Sequence, residues 1–169
     1  SAGSINCNGG TTTVTASATG GTAPYTYALD GGTFQASATF NNVAAGNHTV
    51  TVKDVNGCTA NKPVSITDPA ALIADASAGS ISCNGGTTTA TASATGGTVP
   101  YTYALDGGSF QVSATFNNVS AGNHTVAVKD ANGCTASKPV SITEPAVLIA
   151  DASAGSINCN GGTTTVTAS

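Results

Sequence analysis

Polar and small apolar residues alternate along this chain in runs too short for helices and well spaced for strands. From Thr11 to Thr19, Thr and Ser alternate with Val14, Ala16 and Ala18, a period of two that turns the apolar residues to one face. Gly20-Gly21 and Pro24 then break the chain before a strand over Tyr25 to Leu29. Asp30-Gly31-Gly32 predicts a hairpin turn, and Phe34 and Ala38 to Phe40 two short strands. His48 to Lys53 sets Val50 and Val52 on one face, Asn56-Gly57 turns the chain into Cys58 to Ala60, and Val64 to Ile66 closes the set. About seven strands result, without helical periodicity, which is the count of an immunoglobulin-like β-sandwich.

The same pattern then starts again. Ser1 to Ala76 matches Ser77 to Ala152 at 65 of 76 positions, and Ser153 to Ser169 repeats Ser1 to Ser17 without a change. The eleven differences are mild, such as Val14 to Ala90 and Asp68 to Glu144, and none alters the charge. An all-β tandem array of units of about 76 residues is expected, forming an extended fibre. Pro69 and Pro145 each follow a strand ending Ser-Ile-Thr, so the units are placed at 69–144 for a complete sandwich, 1–68 for one lacking its first strand region, and 145–169 for the opening strands of the next. No long Gly/Ser linker separates them, which predicts stiff, directly joined units.

A unit of this size buries only about 60% of its unfolded surface and needs a staple. Cys7 and Cys58 recur as Cys83 and Cys134, with Cys159 beginning the third copy. Two cysteines per repeat predict one disulfide per repeat, and an oxidising, extracellular setting. Pairing Cys7 with Cys58 and Cys83 with Cys134 closes a loop within each sandwich and is the expected arrangement; Cys58 with Cys83 and Cys134 with Cys159 is the alternative. In the first, the partner of Cys159 lies outside the chain. The cysteine spacing lacks a zinc pattern, and no metal or cofactor is expected.

Charged residues are 7% of the chain and the net charge is -4, too little basic surface to neutralise phosphates, so nucleic acid is excluded as a partner. No stretch approaches the roughly 18 apolar residues of a membrane span, and no basic-then-apolar leader opens the chain. Membrane insertion is therefore not expected in this segment, and export and anchoring signals are expected outside it. The only His residues, His48 and His124, occupy the same repeat position, away from any Ser or Cys nucleophile pattern, so an enzyme is not expected.

Cys-Asn-Gly-Gly (7 to 10), Thr-Gly-Gly-Thr-Ala-Pro-Tyr-Thr-Tyr (19 to 27), Ala-Gly-Asn-His-Thr-Val-Thr-Val-Lys-Asp (45 to 54) and Asn-Gly-Cys (56 to 58) together resemble the SprB repeat. That repeat belongs to very large cell-surface adhesins of gliding Bacteroidota. The resemblance covers each full copy and implies a filamentous adhesin exported by type IX secretion and serving surface attachment and gliding motility. The partners implied are extracellular surfaces or polysaccharides, gliding-motor components, and other copies of the chain itself. A glycan- or calcium-binding module and a self-assembling extracellular matrix fibre are the alternatives.

Where the family often has an aromatic residue after Ala-Gly-x, this chain has His48 and His124, read as a corner whose imidazole N–H ties nearby backbone. Tyr25 and Tyr27, repeated as Tyr101 and Tyr103, stand two apart and share a face. They are either core with hydroxyls at the rim or a stacking surface for a ligand. Asp30 and Asp54 sit in Gly-containing turns, with too few carboxylates nearby for a calcium loop.

Overall fold

The computed structural model describes residues 1–168. It is all-β, with thirteen strands and no helix among the described residues, so none is long and apolar enough to cross a membrane. The first copy holds β1 (Thr12–Thr15), β2 (Thr26–Leu29), β3 (Thr39–Val43), β4 (Gly46–Lys53) and β5 (Thr59–Ile66). β1 pairs with β3, and β4 runs between β2 and β5, all antiparallel. In the second copy β6 (Ile73–Ala78), β7 (Thr88–Thr95) and β9 (Thr115–Val119) make one three-stranded sheet, while β8 (Thr102–Leu105), β10 (Gly122–Lys129) and β11 (Thr135–Ile142) make another. β12 (Ala152–Ala154) and β13 (Val166–Ala168) form a final two-stranded pair.

Alternation sets the core. Ala74, Ala92, Val126 and Val128 meet in one cluster fed by both sheets of the second copy, with Ile81, Ala90, Val119 and Ile142 in an adjoining one. Val126 and Val128 are fully enclosed, because β6 lies across from β10 and β11. The first copy uses Ile5, Val14, Val43, Val50 and Ile66 in the same way. Its Val52, equivalent to Val128, is only half-buried.

Three differences from the sequence pattern have physical causes. Cys58 to Ala60 and Val64 to Ile66 are not two strands but the ends of one, β5, which runs straight through Pro63. β5 pairs on one side only, so the missing Pro63 N–H faces no partner strand. Phe34 lies in a loop instead of a strand, its ring beneath the Lys53 ammonium 4.0 Å away, where a cation–π contact holds it. The run Thr11 to Thr19 is a strand only as far as its partners reach: β7 spans eight residues against β6, but β1 stops at Thr15, where the Ser1 carbonyl takes the last amide.

The approach to β6 is tight. Gly97 N donates to the Ala70 carbonyl at 3.0 Å, and a Cβ on Gly96 would overlap the Ala71 carbonyl oxygen. At Gly20, the equivalent position, the same Cβ would meet nothing within 4 Å, although φ is +75°. Gly20→Ala is therefore expected to cost about 1–2 kcal/mol for the left-handed backbone, and Gly96→Ala a further 1–3 kcal/mol for crowding. Urea unfolding of the two variants checks this, and equal losses would mean that the segment entering β6 does not pack as described.

Candidate functional site

The turns that join the strands are built from carboxylates and backbone amides. Asp130, at the end of β10, is buried and accepts from Thr98 N at 2.9 Å, Asn132 N at 2.9 Å and Cys134 N at 2.9 Å. Burial pushes its carboxyl up, but the N–H groups of Thr98, Cys134, Asn132 and Gly133 outweigh it and leave the pKa below its ordinary value. Asp54 does the same in the first copy, held down chiefly by the Thr22 N–H against burial, and further by Cys58, Asn56 and Gly57. These oxygens are spent on the fold, so the Asp54 loop is a closed turn, with Gly57 N donating to Asp54 O at 3.1 Å. Asp30-Gly31 is a hairpin turn, with φ of +50° and +73° and Gly32 N donating to Leu29 O at 2.9 Å, the type I′ pattern.

A second set of turns faces these at the other end of each unit. Cys7-Asn8-Gly9-Gly10 is closed by Gly10 N donating to Cys7 O at 2.9 Å. Gly9 N donates to the Asp68 carboxylate at 3.0 and 3.1 Å, and Asn8 Nδ2 reaches Asp68 Oδ2 at 3.0 Å and Pro69 O at 2.8 Å. This turn thus grips the chain as it leaves β5. Glu144 replaces Asp68 in the second copy and takes Gly85 N at 2.6 Å, while Asn84 Nδ2 donates to Pro145 O.

The two kinds of turn meet between the copies. Cys7 is bonded to Cys134, with Cα atoms 5.7 Å apart, across 127 residues. Asn132 Nδ2 donates to Asn6 O at 3.0 Å and to Thr98 Oγ1 at 3.0 Å, tying the same junction. Asp130 positions this bond, because it orders the turn that carries both Asn132 and Cys134.

The expected pairs Cys7 with Cys58 and Cys83 with Cys134 do not form; Cys58, Cys83 and Cys159 are exposed thiols. The reason is the length of one strand. Cys58 stands at the start of β5, and the Cys7 turn is gripped by Asp68 beyond its end. Eight residues at about 3.3 Å each put roughly 25 Å between them, several times the Cα separation a disulfide allows. Cys83 and Cys134 are held apart by β11 in the same way. The alternative of Cys58 with Cys83 fails too, since these thiols lie at the outer ends of the two copies. The signal was present in Asn8-Gly9 and Asn56-Gly57: two turns separated by one strand put their cysteines at opposite poles.

The tyrosines face inward more than outward. Tyr27 is buried, and Tyr103, half-buried, packs with Tyr101 on the core of its copy. The hydroxyls of Tyr25 and Tyr101 donate to Gly20 O and Gly96 O, each at 2.6 Å. Each His closes a corner: His48 Nδ1 lies 2.8 Å from Asp30 Oδ2 and its Nε2 3.1 Å from Ala44 O, while Thr49 N donates to Asp30 Oδ1 at 2.7 Å. His124, Asp106, Ser120 O and Thr125 N repeat this at 2.7, 3.1 and 2.8 Å.

The family model described as SprB repeat matches residues 2–34 and 76–110, the Cys turn through the β2 hairpin in each copy. The chain carries SprB-type repeats. No curated protein matches it. The SprB repeat is a structural repeat, not an enzyme family, associated with adhesin-like proteins of the cell surface.

In each SprB repeat the His ring faces two acceptors, a carboxylate and a carbonyl, so only the imidazolium satisfies both. The Asp30 hydrogen bond, opposed by desolvation and helped by Ala44 O, raises the His48 pKa above its ordinary 6.5. His48 in turn, with the Thr49 N–H, lowers Asp30 below 3.8. The His contribution to stability is complete below pH 6.5 and disappears as pH rises through the raised native value. The Asp contribution is complete above 3.8 and disappears as pH falls through its lowered value. His124 and Asp106 behave alike. Melting temperature is therefore expected to decline as pH rises from 6.5 through the raised His value, and His48→Asn with His124→Asn to flatten that decline; an unchanged slope in the double variant would refute the assignment. Non-reducing peptide maps are expected to join the Cys7 and Cys134 peptides, and a Cys7–Cys58 peptide would contradict the junction.

Proposed function

We propose that these SprB repeats are structural and adhesive links of a filamentous cell-surface adhesin, serving surface attachment and gliding motility outside the cell. The observation that carries this reading is the junction. The chain passes from β5 through Asp68 and Pro69 directly into β6, gripped by the Cys7 turn on one side and bonded through Cys134 on the other. A connection made of core strand and disulfide has no slack to swing, and it transmits tension from one repeat to the next. Two facing three-stranded sheets in the second copy support an immunoglobulin-like sandwich as the repeat unit.

The disulfide favours an oxidising, extracellular setting, and the family match favours type IX export and coupling to a gliding motor. Low charge and exposed Thr, Ser and Asn suit contact with polysaccharide or glass, because few ions need to be stripped of water. Weak contacts repeated on linked copies then add through effective concentration. Calcium dependence is not part of this reading, since Asp54 and Asp130 are committed to backbone amides.

The oxidised chain is expected to bind glass and purified polysaccharide saturably on a quartz microbalance, with binding unchanged by a calcium chelator. Absence of binding on every surface would reduce the repeats to spacers, and loss on chelation would replace this reading with a calcium-dependent one.

A further inference from the structure

Phe34 and Phe110 occupy one place in the two copies, and both rings stay open to solvent. The isolated bridge between Tyr27 and Gln35 sets Phe34 on the opposite face of the sheet from the Tyr27 side chain, the face of Thr26 and Ala28. Thr51 and Lys53 share it, since Ala28 pairs with Thr51 and Thr26 with Lys53. The bridge between Tyr103 and Gln111 places Phe110 alike, with Thr102, Ala104, Ala127 and Lys129. Lys53 Nζ stands 4.0 Å from the centre of the Phe34 ring, and Lys129 Nζ 4.3 Å from that of Phe110. The rings are 38% and 37% exposed. The first copy has a full neighbour after it and the second has one before it, so this agreement means that the exposure does not come from a missing neighbour.

The charges point to an acidic ligand. Four lysines are the only Lys or Arg residues of the chain, and two of them stand on these rings. Lys138 lies 3.7 Å from Asp75 Oδ1, but neither Lys53 nor Lys129 is paired with a carboxylate among the described residues. An ammonium resting on an exposed ring gains less than one hydrogen-bonded to a carboxylate. A carboxylate therefore draws the ammonium aside, and the ring face it leaves is free for apolar contact. The rest of the face is polar: Thr26, Thr51 and Asn61 in the first copy, Thr102 and Ser137 in the second. The net charge of -4 does not oppose such a ligand strongly, because salt screens charges beyond about 8 Å.

We infer that Phe34 with Lys53, and Phe110 with Lys129, are equivalent subsites for an acidic polysaccharide, each holding one uronate residue. The C–H face of the sugar lies on the Phe ring, its carboxylate takes the Lys ammonium, and its hydroxyls meet the Thr, Ser and Asn side chains of the same face. A flat pyranose fits this shallow surface, which offers one ring, one cation and a row of hydroxyls. A single such subsite binds weakly. Two on linked copies act on one polymer, and the second engages through effective concentration. The inference rests on the reading of the repeats as adhesive links and names the class of polysaccharide they hold.

The test measures binding of the full oxidised chain to immobilised polygalacturonate, to its full methyl ester and to polyglutamate. Polygalacturonate is expected to bind roughly tenfold more tightly than either of the others, with an affinity that falls as salt rises. Lys53→Gln with Lys129→Gln is expected to lower that affinity about fivefold and to remove the salt dependence, while Lys→Arg at both positions retains binding. Phe34→Leu with Phe110→Leu keeps apolar cover over the sheet and is expected to weaken binding about threefold. Backbone NMR shifts on adding trigalacturonate are expected around Thr102, Phe110 and Lys129, which locates the site without any substitution. Equal affinity for the ester or for polyglutamate, an unchanged affinity in the Lys→Gln variant, or shifts confined to the sheet of β6, β7 and β9 would each overturn the inference. A chain that holds glass and neutral polysaccharide without preferring polygalacturonate loses this inference and keeps the adhesive reading, whereas a chain that binds no surface loses both.

Discussion

The segment that connects the two copies is also a strand of the second copy's core, and the rest of the architecture follows from that double use. Residues 69 to 78 cannot be a tether, because Leu72 and Ala74 must sit against Val126 and Val128 for those valines to be dry. Docking this strand fixes where the second copy begins relative to the end of β5. It also sets the Cys134 turn against the Cys7 turn, at a distance a covalent bond can span. A small all-β repeat that is marginal alone gains enclosure from the same residues that join it to its neighbour.

The period-two pattern made the strands legible, and the near-identity of the copies made the repeat legible. Hydrophobic alternation marked Val14, Val50 and Val52, and Gly and Asn marked the turns at Asp30 and Asn56, where local chemistry decides the outcome. The region from Pro69 to Ala76 was legible as the opening strand region of the complete unit; its register in the sheet comes from tertiary pairing with Thr88–Thr95. Cys58 to Ala60 and Val64 to Ile66 read as two strands where there is one, since a strand paired on one side tolerates Pro63, which lacks an N–H. The cysteine pairing was missed for a related reason. Closing a loop within one unit favours Cys7 with Cys58 and Cys83 with Cys134, but an extended strand is rigid, and its length holds those thiols apart.

Carboxylates govern the candidate site throughout, although the chain has few charges. Asp68 holds the departing chain, Asp130 shapes the turn that carries Cys134, and Asp30 locks the His corner. Each accepts backbone N–H groups that turns would otherwise leave to water. The acids in these turns thus act as connectors between segments remote in sequence.

The Cys7–Cys134 bond spans 127 residues, more than one repeat of 76. In any array that kept this pattern, each bond would begin before the previous one had ended, as bricks in a wall overlap the joints of the course below. Tension would then run along two interleaved tracks instead of a single line. Reducing any one bond would open only one track at that point, while the other still carried the load past it. Such a fibre would lose strength gradually under chemical attack, where a string of separately stapled beads would lengthen by a whole bead at every cut.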